Sequence, residues 1–216
     1  LVLTLSIFSV AALFGLFLAT VQTGVAVTLL GPAAVEGLER GHLWTESLVT
    51  TVPPTVSSSA IATNNVSVAL SAWAGGALGG LGSLYIVLFN GFLLGALIGV
   101  TLHYSMALQL LTFVAAHGPL EITLILVTAA AGLQIGRAMI SAGDRPRDDA
   151  LREAAKESLS VVLGCAPWFL LLAVVESFLS PAPHVAPAMK VGVGIALETL
   201  FLWVAWNPLL TRREAA

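Results

Sequence analysis

Apolar runs of about twenty residues recur from one end of this chain to the other, and no other feature restricts its fold so tightly. A helix rises about 1.5 Å per residue, so each run covers roughly 30 Å, the thickness of the hydrocarbon core of a bilayer. Strands of a membrane barrel would alternate polar and apolar side chains, and these runs do not alternate. A soluble core has no use for them either, because 57% of the 216 residues are apolar and only 10% are charged. An ordinary soluble domain carries roughly a quarter of its residues charged. The sequence therefore predicts an all-α, polytopic helical membrane bundle.

About six spans are expected, over residues 1–30, 59–78, 82–104, 118–140, 159–179 and 189–210, all within a single transmembrane domain over 1–216. The division between the second and third rests on Gly75, Gly76, Gly79 and Gly80, where a turn is expected and a kinked helix is the alternative. Basic residues set the orientation. Arg137, Arg145, Arg147, Arg152 and Lys156 surround the loop 141–158, and Arg212 and Arg213 follow the last span, whereas Arg40 and Lys190 fall on the other side. The positive-inside rule makes that loop and the C-terminus cytoplasmic. Segment 31–58 is then external. Its Val35, Leu38, Leu48 and Val49, set against Glu36, Glu39 and Arg40, suggest an amphipathic helix lying on the outer surface and ended by Pro53-Pro54. The chain opens at Leu1 directly on an apolar run, which we read as an N-terminal cytoplasmic region that is missing. The lone Cys165, inside an apolar run, reads as a buried, inert thiol.

Polar groups within spans are costly, so they turn toward the protein interior and often mark a site. Counted from the span ends, Asn64, Asn65, Glu121 and Glu176 lie about one turn below the outer surface on three helices. His117 precedes Glu121 by four residues and shares its helix face. His103 and His184 stand at the outer ends of neighbouring spans. Three readings of this layer are open: a hydrogen-bonded lock between helices, a divalent metal site formed by His117, Glu121 and Glu176, or proton and ion handling by paired carboxylates. Glu198 lies deeper, in the last span, with no partner that the sequence names. Gly91, Gly95 and Gly99 beside Asn90, and Gly132 and Gly136 below Thr128, form small-residue stripes for close helix packing. Spans two to five are accordingly expected to form one bundle around the layer. The chain has no P-loop, no Cys pair at zinc spacing and no nucleophile elbow, and no basic patch that would bind nucleic acid.

The order of these elements has a counterpart. Asn64-Asn65, Asn90-Gly91 with Gly95, His117-Gly118-x-x-Glu121, Ala130-Ala131-Gly132-Leu133-x-x-Gly136 and Glu176-Ser177-Phe178-Leu179-Ser180 together resemble the stage II sporulation protein M family over about residues 62–180. The polar residues shared by that family match Asn64, Asn65, Asn90, His117, Glu121 and Glu176. The resemblance implies a multi-pass protein of a prokaryotic cytoplasmic (inner) membrane, with a cytoplasmic helical region ahead of the first span. In spore formers, the founding member is a scaffold for peptidoglycan-degrading enzymes. The expectation for this chain is a non-enzymatic integral membrane scaffold or assembly component of the cell envelope, docking partners through residues 36–51 and 144–157. The alternatives are a transporter or ion- or lipid-handling protein using the Asn/His/Glu layer, and a membrane-embedded metal-dependent hydrolase with Glu121 or Glu176 as general base. The cofactor in view is a divalent metal ion. The partners in view are the lipid bilayer, envelope or peptidoglycan-remodelling proteins, and a second copy in a homo-oligomer.

Overall fold

Hydrophobic runs become helices in lipid because each backbone N–H and C=O must find its partner within the segment. The computed structural model describes residues 1–22, 24–45 and 54–207, the side chains of 54–62 excepted. Among these residues the regular structure is helical throughout: α1 (Val2–Val21), α2 (Gly24–Leu30), α3 (Pro32–Glu39), α4 (Pro54–Ala74), α5 (Leu81–His103), α6 (Ala107–Val114), α7 (Gly118–Ile140), α8 (Arg147–Val174) and α9 (Pro187–Trp206). A 3₁₀ turn over Gly75–Leu78 follows α4, and α8 runs on into a π turn over Val175–Leu179. Among the described residues, five helices are long and apolar enough to cross a membrane: α1, α5, α7, α8 with its π turn, and α9. The 21-residue α4 is as long but richer in Ser, Thr and Asn. The protein is thus an all-α, multi-pass membrane bundle of about six spans. Leu13, Phe14 and Phe17 of α1, Leu163 and Leu170 of α8, and Ile195, Trp203 and Trp206 of α9 face outward, the surface that lipid would cover.

Glycine decides which helices meet. The stripe Gly91, Gly95 and Gly99 of α5 lies against the backbone of α1 at Phe8, Ala12 and Leu16. Gly15 of α1 answers it by lying against Phe92 and Ala96. The expected bundle of spans two to five therefore gains α1, which packs along the length of α5. A glycine stripe announces close approach but carries no record of the partner, which is why the sequence alone could not assign it. The second stripe receives the α4–α5 turn, with Gly76 seated on Gly132 and Gly80 on Gly136. That stretch is a turn rather than a kink, because Gly79 and Gly80 take φ of +65° and +87°, a region that side chains with a Cβ rarely occupy. The Ser83 hydroxyl closes the turn by donating to Ala72 O at 2.6 Å. Trp73 Nε1 donates to Ser158 Oγ at 3.0 Å and ties α4 to α8. Leu120 and Leu124 of α7 pack with Phe169 and Leu172 of α8 and Phe201 of α9 to form the apolar centre behind the site.

The helix of the first apolar run stops at Gln22, which is extended, and the chain goes on to form α2 and α3. Val35 and Leu38 of α3 are buried with Ala26, Leu43, Met106 and Leu110. The apolar face of α3 thus rests on the protein, and its Glu36–Arg40 ion pair stays exposed. The remaining apolar residues of the expected surface helix, Leu48 and Val49, lie outside the described residues, as do Arg212 and Arg213.

Candidate functional site

Four polar side chains from three helices converge where α4, α7 and the end of α8 meet. His117 stands immediately before α7, and its carbonyl accepts the Glu121 N–H at 3.0 Å, which sets the two side chains one turn apart on one face. Glu176 lies in the π turn, a form often found at functional sites. The Ser180 N–H bonds back to Val175 O at 3.0 Å across that widened turn. Asn65 comes from α4 and is buried.

A chain of contacts joins them. Asn64 Nδ2 donates to Asn65 Oδ1 at 3.3 Å, and Asn65 Nδ2 donates to Glu176 Oε2 at 3.1 Å. The other Glu176 oxygen is 4.0 Å from His117 Nε2. His117 Nδ1 meets Ser180 Oγ at 2.8 Å, and the ring, 4% exposed, packs edge-on against Phe113. One ligand atom each from His117, Glu121 and Glu176 lies within 4.8 Å of the other two, so the three can hold a metal ion. Ligands at about 2.0–2.2 Å from a tetrahedral ion stand roughly 3.5 Å apart, so modest side-chain rotation would close the set. Ser180 occupies the position of an outer partner that fixes the imidazole ring while Nε2 faces the carboxylates.

Asn65, His117, Glu121 and Glu176 are therefore brought together, with the exposed Asn64 bonded to Asn65 at their edge. Asn90 is not joined to them: its Nδ2 donates to Ile86 O of its own helix at 2.8 Å. His103 and His184 are exposed, the former with its ring against Tyr104. Two residues gain a role that the sequence does not assign them. Ser180 closes the Glu176–Ser180 element, and its position four residues after Glu176 is the signal that could have marked it. Lys190 counted only as an outer charge, yet it is buried and its Nζ donates to Ser180 O at 2.6 Å.

Glu198 also acquires a partner. Thr123 Oγ1 donates to Glu198 Oε1 at 2.9 Å, while Oε2 is buried without a hydrogen bond. Thr123→Val should destabilise the bundle by about 1–3 kcal/mol, the cost of a buried polar group left unsatisfied. The double variant Thr123→Val, Glu198→Leu should recover most of that loss. Thermal melts of the purified variants would check both; a double variant no more stable than Thr123→Val would contradict this account.

Residues 3–181 match the family model described as Stage II sporulation protein M. An uncharacterized protein of Methanocaldococcus jannaschii is 30% identical over 123 residues, which make up 56% of this chain and 69% of the relative. No solved structure matches.

Proposed function

The chain belongs to the stage II sporulation protein M family, and from that premise we propose that it is an integral membrane scaffold or assembly component of the cell envelope. The observation that carries this reading is the way the helices touch. Gly95 meets Ala12, Gly76 meets Gly132, Gly80 meets Gly136 and Gly194 meets Ala115, each at the level of the backbone. Alternating access needs one group of helices to rock against another. Backbones this close pack the helices into one body, and such a body suits a platform that holds partners in register. Within it, the His117–Glu121–Glu176 cluster acts as a clasp between α7 and α8, with Asn65 adding α4, and a divalent ion is its natural reinforcement.

The proposed orientation follows the positive-inside rule, with loop 141–158 in the cytoplasm and α2 and α3 outside. Helix α8 with its π turn runs for 33 residues, about 50 Å at the helical rise. That exceeds the hydrocarbon core by roughly 20 Å, so the first turns stand in water. They carry exposed Arg147, Asp148, Asp149 and Arg152, and Glu153 pairs with Arg145. This charged projection is the proposed cytoplasmic docking surface, and the partners are envelope or peptidoglycan-remodelling proteins. A photo-crosslinker at position 152 in native membranes should capture one defined protein, and replacing residues 144–157 with a Gly/Ser linker should abolish the adduct. A chain that yields no adduct and always purifies alone would overturn the scaffold reading.

The carboxylate pair favours a second reading, ion or proton handling, because two intramembrane acids beside a histidine are a common element of ion paths. Purified protein in liposomes should then carry divalent-ion or proton flux that Glu121→Gln abolishes. Flux unchanged by that substitution removes the reading.

A further inference from the structure

We propose that the cavity at the start of α9 binds a phosphate-bearing anion, with Lys190 as its charged partner. The cavity measures about 370 Å³, within the size range of small-ligand pockets, and its lining is largely apolar, with Leu108 and Phe113 on the α6 side. Five polar residues interrupt that lining: Thr45, Gln109, Thr112, Ser180 and Lys190. Lys190 is only 6% exposed. Its ammonium donates one hydrogen bond, to Ser180 O at 2.6 Å. Among the described residues no carboxylate forms an ion pair with it.

A buried ammonium without a counter-charge is expensive, and an ammonium has three donors. One carbonyl satisfies one donor and supplies no net charge. An anion seated in the cavity beside Lys190 would supply the charge and accept the remaining donors. The other polar groups suit the same occupant, since the Thr112 hydroxyl and the Gln109 amide, both lining the cavity, can each donate to an acceptor-only ligand. Phosphate fits this mixture well, because lysine recognises it as a compact point charge. The depth agrees too. Lys190 is the fourth residue of a spanning helix, near the membrane boundary where lipid phosphates lie. Two sources share this chemistry, an anionic phospholipid headgroup and free inorganic phosphate. The inference does not require an ion in the clasp. It nevertheless places the anion one residue away from it, because Ser180 holds Lys190 by its carbonyl and His117 by its hydroxyl.

The test is native mass spectrometry of the full detergent-purified chain with added phosphatidylglycerol or phosphatidylcholine, and equilibrium dialysis against radiolabelled inorganic phosphate. Lys190→Met should lower affinity for the bound anion at least about tenfold, and Lys190→Arg should retain most of it. Lysine-dependent retention of phosphatidylglycerol over phosphatidylcholine identifies a lipid headgroup as the source; lysine-dependent binding of inorganic phosphate without lipid preference identifies the free anion. Thr112→Trp keeps Lys190 but fills the cavity, and should lose the ligand as well. Its result decides the matter if Lys190→Met does not fold. A parent chain that binds neither probe, or folded Lys190→Met or Thr112→Trp variants that bind as tightly as the parent, would overturn the proposal.

Discussion

Gly95→Ala should cripple assembly of the bundle, although it adds a single methyl group. A Cβ at this position would fall inside the Ala12 carbonyl of α1, midway along the α1–α5 contact. Overpacking a side-chain interface typically costs about 1–3 kcal/mol, because neighbouring side chains can rotate away. Here the obstructing atom is backbone, so the helices themselves must separate along the whole Gly91–Gly99 stripe. We expect a loss at or above the top of that range, read as a large fall in melting temperature and a loss of monodisperse protein after detergent extraction. Gly192→Ala is the matched control. It lies on a spanning helix with nothing within 4 Å of the added methyl, so it should behave like the parent. Equal behaviour of the two variants would show that α1 does not dock through this stripe.

The second large effect concerns the clasp. Purified protein incubated with Zn²⁺ or Mn²⁺ and then desalted should carry about one ion per chain. Replacing a residue that would ligate the ion, as in His117→Ala or Glu176→Gln, should weaken retention more than about 100-fold, because loss of an outer partner alone costs roughly 10–100-fold. Ser180→Ala, which removes the group on His117 Nδ1, should fall in that smaller range. Glu121→Gln separates the readings further. It should be severe if the carboxylate binds an ion, and mild if the layer is a hydrogen-bonded lock, since an amide keeps the shape and most of the polarity. A parent that retains no ion, together with a near-normal Glu121→Gln, would reduce the site to the Asn65–Glu176–His117–Ser180 network.

Sequence reading went furthest where the physics is local. Run length against bilayer thickness is a property of consecutive residues, so the class of the fold and the Gly118–Ile140 helix could be read directly. The shared face of His117 and Glu121 follows from helical spacing alone. The turn at Gly79 and Gly80 was legible for a similar reason, since four glycines within six residues favour conformations that other residues avoid.

What the tertiary structure decided is, in each case, a matter of partners far apart in the chain. The meeting of Glu176 with Asn65 spans 111 residues, and that of His117 with Ser180 spans 63. A polar residue in a span signals that it needs a partner, because hydrocarbon offers none, but the signal is the same whichever helix provides it. For that reason Glu198 looked solitary until Thr123 appeared across the α7–α9 contact. Lys190 shows the limit most clearly. Charge alone made it an outer marker, and only packing revealed it as a buried cation beside a cavity. Composition determined that this chain lives in a membrane as a bundle of helices. Which helix meets which depended on where backbones without side chains could touch, and that fit exists only in three dimensions.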